Sequence, residues 1–258
     1  MLRPADVKRA VGDAIDAALA RDEHLAFAHA ARARYAWYID ASWIDALCSF
    51  DRALALDADA ADIHGMLALC YMNISDDPAA RRHASRGVAL DPLSAWNHGV
   101  SAFAAYVAHR FDDAESDARA ALDLRPDSVF ARWILGMALT RVGRGADAVA
   151  AIQPLATAAD AADYLLAHYA AALSAVGEVE SAAAIDETLR RRSAEQWVSP
   201  AWLALSALSA GRSRDAIESI QRGAAEPNGW ALWLMMPMFD ALRGDPEFER
   251  VARKLGPA

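Results

Sequence analysis

The stretch Leu135-Gly136-Met137-Ala138-Leu139-Thr140-Arg141-Val142-Gly143-Arg144-Gly145-Ala146-Asp147-Ala148 decides the fold. A large apolar residue and a small one come first, a helix-stopping glycine follows at 143, and a second small residue closes the stretch. Counted in both directions from Ala148, alanine recurs every 34 residues, at 46, 80, 114, 148, 182 and 216. Twelve residues before each of these stand Arg34, Ala68, Ala102, Gly136, Ala170 and Ala204, all but the first small. Five residues before them stand Ala41, Ser75, His109, Gly143, Gly177 and Gly211. Thirteen before, Leu67, Leu135, Tyr169 and Leu203 supply a large apolar partner. Pro92 and Pro126 punctuate two of the units, because proline disfavours the α region at the residue before it. Self-similarity at a fixed period of this size is the signature of a repeat array.

The composition agrees. Of 258 residues, 64 are alanine, the best helix former and a poor strand former. With 55% hydrophobic residues the chain is too apolar for wholesale disorder, and two cysteines cannot form a disulfide framework. A net charge of −9 argues against nucleic acid as a partner, since that binding depends on neutralising phosphates. Asp13, Asp16, Arg21 and Asp22 interrupt any secretory apolar run near the N-terminus. No uncharged apolar run approaches the roughly 20 residues of a spanning helix. The expectation is a cytoplasmic protein with no membrane partner.

The repeat resembles the tetratricopeptide family, whose 34-residue unit is a pair of antiparallel helices. Leu67-Ala68 with Tyr71, Ala80 and Pro92 carries the resemblance, as do Ala114 with Ala121 and Pro126, Leu135-Gly136 with Gly143 and Ala148, and Trp37 with Ala46, Phe50 and Ala53. The family's tryptophan is replaced by Ala30, His64, His98, Arg132, Leu166 and Pro200, and Ser101 and Asp186 stand where an apolar residue is usual. The resemblance implies an all-α, right-handed solenoid of about six helix hairpins over 27–228, with repeats starting near 27, 61, 95, 129, 163 and 197. Residues 1–26 read as a degenerate half repeat, because Gly12 lies 34 before Ala46 and Val7, Val11, Ile15 and Leu19 share one helix face. Residues 229–258 read as capping helices, with Asp245-Pro246-Glu247 as a helix start and Phe248, Val251 and Leu255 on one face. The tail from Phe239 to Phe248, with Lys254-Leu255-Gly256, is similar to the end of such regions attached to bacterial signalling and transcription regulators.

Chemistry is sparse. No G-x-G-x-x-G, phosphate-loop, H-E-x-x-H or G-x-S-x-G motif occurs, so no catalytic, cofactor or metal residues are expected. His64 and His98 share one repeat position and read as packing residues; Cys48 and Cys70 read as buried free thiols. Asp76-Asp77 and Asp112-Asp113 read as acids in the turn before a second helix that cap it and favour its dipole, and Arg190-Arg191-Arg192 as a solvated basic run. The resemblance implies a protein or peptide partner on the concave face formed by the first helices. Its recurring positions there hold Tyr35, Tyr38, Met72, Asn73, Trp96, Phe103, Tyr106, Phe130, Trp133, Met137, Arg141 and Tyr164. Two other readings stand beside the peptide groove. They are ordinary inter-repeat packing of the same residues, and a sensor module taking a small ligand in the aromatic patch. The Lys/Asn/Arg clamp that some members use for a C-terminal carboxylate is missing apart from Arg32, and an exposed apolar end leaves a homodimer open.

Overall fold

The computed structural model describes residues 4–39, 42–74, 76–224 and 233–255, all helix and connecting turns with no strand among them. It forms two compact units, residues 1–104 and 105–258, with one helix running across the division.

The first unit holds α1 (Pro4–Arg21), α2 (Ala26–Tyr38), α3 (Trp43–Leu56), α4 (Ala61–Asn73), α5 (Asp77–Leu90) and the first turns of α6 (Ala95–Val107). α2 pairs with α3 and α4 with α5 as hairpins. Their core is Ala46, Phe50, Ala53, Leu67 and Cys70, all fully buried. Asp76 caps α5 by accepting from the Ala79 amide at 3.0 Å, with Pro78 in the first turn. α6 sits against α4 and α5 through glycines: a Cβ on Gly65 would lie 3.1 Å from Trp96 Nε1, and one on Gly87 3.4 Å from Asn97 Cγ. The side-chain amide of buried Asn97 donates to the Gly87 carbonyl at 3.1 Å, which satisfies an acceptor inside the joint.

The second unit continues from the end of α6 with α7 (Phe111–Leu124), α8 (Val129–Arg141), α9 (Gly145–Ala156), α10 (Asp163–Ala175), α11 (Val179–Glu195), α12 (Pro200–Ser209) and α13 (Ser213–Gly223). A 3₁₀ helix at Pro237–Leu242 and α14 (Pro246–Leu255) follow. α8 pairs with α9, α10 with α11 and α12 with α13. Asp245 caps α14, accepting from the amides of Glu247 at 2.8 Å and Phe248 at 3.2 Å.

The 34-residue rhythm has a physical content at each beat. Ala46, Ala80, Ala114, Ala148, Ala182 and Ala216 are all buried, the least covered at 2% exposure. Small side chains there let helices approach closely while larger neighbours fill the grooves. At Gly136 the approach is tightest, because a Cβ would fall 2.2 Å from Ile152 Cγ1 on α9. The turn series also resolves: Gly143, Gly177 and Gly211 have φ of 78°, 84° and 76°. His109 holds the same register with φ 57°, a conformation that glycine adopts without penalty and histidine does not.

Three local expectations need correction. Cys48 is exposed, because it lies on the side of α3 turned away from the hairpin core; only Cys70 is buried. Asp112 and Asp113 stand in the first turn of α7 rather than at its cap, which is Arg110; Asp113 pairs with Arg110 at 2.5 Å. The basic run is solvated only at Arg191, which is exposed: Arg190 pairs with Asp186 and Asp215, and Arg192 with Asp163 at 2.8 Å. Arg190 and Arg192 thus reach carboxylates on α13 and α10 as well as Asp186 on their own helix.

Candidate functional site

In the second unit, the first helices bring rings together: Phe130 and Tyr164 share one register position, and His168 and Trp202 another. Trp133 of α8 meets Tyr164 and His168 of α10 edge-on, with centroids 5.0 and 5.4 Å apart. His168 and Tyr164 in turn approach Trp202 of α12 at 5.7 and 6.3 Å. The chain's own C-terminal segment lies on this face. Trp233 is 4.9 Å from the Trp202 ring and 6.1 Å from Trp133. Asp240, in the 3₁₀ helix, accepts from Arg141 Nη2 at 2.7 Å, with His109 Nδ1 at 3.5 Å and Arg243 Nε at 3.4 Å. Arg141 also stands 5.4 Å above the Phe111 ring, a cation–π contact that holds the guanidinium toward the acid. Met238, Tyr106, Met137 and His168 enclose a gap of only about 70 Å³. Leu234, Met236, Phe239 and Leu242 are buried alongside.

Burial tunes His168, Tyr106 and Tyr164 at this face, raising both tyrosine hydroxyls. His168 donates from Nδ1 to the Tyr164 carbonyl at 2.8 Å, and burial pushes its pKa down to about 4, so the ring is neutral near pH 7. Burial raises the Tyr106 hydroxyl well above the usual tyrosine range.

The first unit is different. Between α1 and α2 runs an open, apolar groove of about 680 Å³, walled by Val11, Ala14, Ile15 and Ala18 on one side and Phe27, Ala28, Ala31, Tyr35 and Ile39 on the other. Phe27 is 70% exposed and Ile39 46%, and Val11 is exposed as well. Arg34 closes one rim and is tied to Asp62 at 3.1 Å. The opposite side of α1 carries a polar cleft where Arg32 pairs with Asp16 beside Asp13 and Cys48.

The candidate residues therefore separate. Met72, Phe103, Tyr106, Trp133 and Met137 are buried and pack helix on helix. Phe130, Tyr164 and Asn73 are half-buried, and Arg141 is bound to Asp240. Tyr35 lines the first-unit groove, and Trp96 is 40% exposed beside Gly65. The side chain of Tyr38 lies outside the described residues.

The remaining chemistry is structural. No group of three or more His, Cys, Asp or Glu among the described residues is placed to hold a metal. His64 Nε2 meets the Ala58 carbonyl at 3.1 Å, so in the neutral ring Nδ1 accepts, and His83 Nδ1 donates to it at 2.9 Å. Burial, then the nearby His64 and Arg82 charges, lowers the His83 pKa to about 4. His98 instead meets the Pro92 carbonyl at 3.0 Å. Asp186, set at an apolar register position, is fully buried and saturated: Oδ1 accepts from Ser206 Oγ at 2.7 Å, Oδ2 from Arg190 Nε at 2.7 Å and from Arg212. That network joins α11, α12 and α13. Its sequence signal is Arg190 one helical turn after Asp186, which is too common a pattern to be read alone.

No protein-family model matches the chain, and no curated protein matches it. Solved structures do. A tetratricopeptide repeat protein from Parabacteroides merdae aligns over 94% of this chain and 90% of its own, with a TM-score of 0.66 at 13% identity. PilF of Pseudomonas aeruginosa aligns over 91% and 99%, with a TM-score of 0.59 at 15% identity. YrrB, described as a tetratricopeptide protein with an unusual peptide-binding site, aligns over 81% and 98%, with a TM-score of 0.52 at 13% identity. The fold of the chain is the tetratricopeptide-repeat fold.

Proposed function

We propose that the protein is a non-enzymatic interaction scaffold that receives a segment of a partner protein on the first helices of its N-terminal unit. The carrying observation is the apolar groove between α1 and α2, which leaves Phe27 at 70% exposure. A protein normally tolerates single exposed apolar side chains, but a contiguous walled groove marks a binding surface. The fold similarity to YrrB, whose description includes a peptide-binding site, supports the same class of activity.

A small-ligand sensor finds less support in the aromatic cluster of the second unit. The gap there is about 70 Å³, against roughly 300–1,000 Å³ for typical ligand pockets.

The test is selection from a random peptide display library on the immobilised chain, followed by affinity measurement on Ala14→Arg and Phe27→Ala. Both positions are exposed groove walls, so the fold should survive. Selected peptides should lose at least tenfold in affinity for Ala14→Arg. Equal affinity for both variants and the wild type contradicts the proposal.

A further inference from the structure

We propose that the small gap beneath the C-terminal segment of the second unit is a binding site for a single copper(I) ion, taken by His168, Met137 and Met238. The site lies apart from the α1/α2 groove, so it goes beyond the docking reading and does not depend on it. Register explains why there is a gap. Met137, Ala171 and Leu205 occupy one repeat position on α8, α10 and α12, and all three line it. Alanine in the middle of that series leaves space that its larger counterparts do not. Met238 of the 3₁₀ helix supplies a further wall.

The nitrogen donor is already fixed. His168, another lining residue, is 3% exposed, and its Nδ1–H is committed to the Tyr164 carbonyl at 2.8 Å. In the neutral ring that leaves the lone pair on Nε2. Nε2 is buried and has no hydrogen-bond partner among the described residues. Buried polar atoms are as a rule satisfied, so this lone pair points to a ligand. A backbone carbonyl on one ring nitrogen and a lone pair on the other is also the arrangement that orients a metal-ligating histidine. Met137 and Met238 are 3% and 9% exposed, and their thioethers are soft donors on adaptable side chains.

Donor type and charge choose the ion. Zinc takes thiolate, imidazole and carboxylate, whereas thioether with imidazole suits copper(I). Among the described residues, those that line the gap include no carboxylate and no thiol. Arg141 stands at the gap as well, and Asp240 offsets its charge at 2.7 Å. A divalent cation would therefore lie there without a counter-charge, and a monovalent ion carries the smaller desolvation cost. Size agrees. The gap of about 70 Å³ is small against the roughly 300–1,000 Å³ of an organic-ligand pocket, yet ample beside the roughly 10–15 Å³ that a water-sized occupant needs. Thr140 and Arg141, both partly exposed, mark its side toward solvent. An ion held by these three donors would tie α8 and α10 to the 3₁₀ helix.

The probe is copper(I) supplied anaerobically as its acetonitrile complex to the full chain carrying Cys48→Ser and methionines labelled with ¹³C at the methyl group. Cys48 is the exposed thiol and is removed as a competitor; burial pushes the Cys70 thiol up to about 12, so it stays protonated. One equivalent should shift the methyl signals of Met137 and Met238 together, leave those of Met66 and Met72 in the first unit in place, and raise the melting temperature. Met137→Leu and Met238→Leu keep the volume and remove the sulfur, and each should weaken binding at least tenfold in competition with a copper(I) chelator. Should a leucine variant fail to fold, the methyl shifts of the Cys48→Ser chain decide alone. Unmoved Met137 and Met238 signals in excess copper(I) overturn the proposal and leave the gap to water. Equal affinity in both leucine variants overturns it too, as does zinc producing the same methyl shifts.

Discussion

The stripe on α8 and the stripe on α2 occupy the same register and have opposite fates. Trp133, Met137 and Arg141 lie under the chain's own residues 233–240; Ala31, Tyr35 and Ile39 face an open groove. The α8 stripe offers a broad ring and a cation, and the C-terminal segment answers with Trp233 and Asp240. The α2 stripe offers a methyl group, a tyrosine ring and an aliphatic side chain, and no described segment answers it. A first-helix face in this fold is therefore neither core nor site by position. What packs onto it decides, and that partner is a matter of side-chain complementarity.

The largest expected effect is a contrast between two phenylalanines. Phe239, fully buried under the cover of the second unit, should cost about 3–5 kcal/mol on replacement by alanine. Phe27→Ala should stay within about 0.5 kcal/mol, because the side chain is mostly in solvent. Urea unfolding of both variants checks the pair, and similar losses would break the distinction between a filled and an open face.

Acid should act on the filled face next. The folded pKa of His168, at about 4, lies below the ordinary value of 6.5, so the unfolded chain binds the proton more readily. The stability held by the neutral ring is complete above about pH 6.5 and is lost as pH falls toward 4, by up to about 3 kcal/mol. His83 in the first unit adds a smaller loss in the same window, since it is only half-buried. A melting series from pH 7.5 to 4.5 should flatten measurably in His168→Gln; an unchanged slope would remove burial of this ring from the account.

Smaller still is the acid anchor of the cover. Asp240→Asn keeps the shape and weakens the charge-assisted bond from Arg141, both groups being partly exposed, so a loss of about 1 kcal/mol is expected. The effect should fall with added salt. At the turns, Gly143→Ala should cost a similar amount because φ there is 78°. His109→Gly relieves the same strain at φ 57° but gives up the contact with Asp240, so its net effect should be within about 0.5 kcal/mol.

These magnitudes also explain what was legible in the chain. The repeat was, because close helix contacts demand small residues at fixed spacing and the turns demand glycine, and both constraints act locally. Even the histidine at 109 could be read through, since its neighbours held the register. The state of the aromatic face was not. Arg141 and Asp240 are 99 positions apart, and periodicity carries no information about a segment that lies outside the repeats. Asp186 was visible only as an anomaly, because the three donors that satisfy it come from α11, α12 and the residue that precedes α13. The exposure of Cys48 and the pairing of Arg190 and Arg192 are hidden from the sequence for the same reason: both depend on what neighbouring helices bring.

The most direct test of an open first-unit groove beside a filled second-unit face is a titration of a library-selected peptide into ¹⁵N-labelled chain, followed by amide chemical shifts. The account predicts perturbations confined to residues 10–39, with 129–141, 200–209 and 233–243 unmoved. Perturbations concentrated in those second-unit residues, with the 233–243 amides shifting as the segment is displaced, would contradict it.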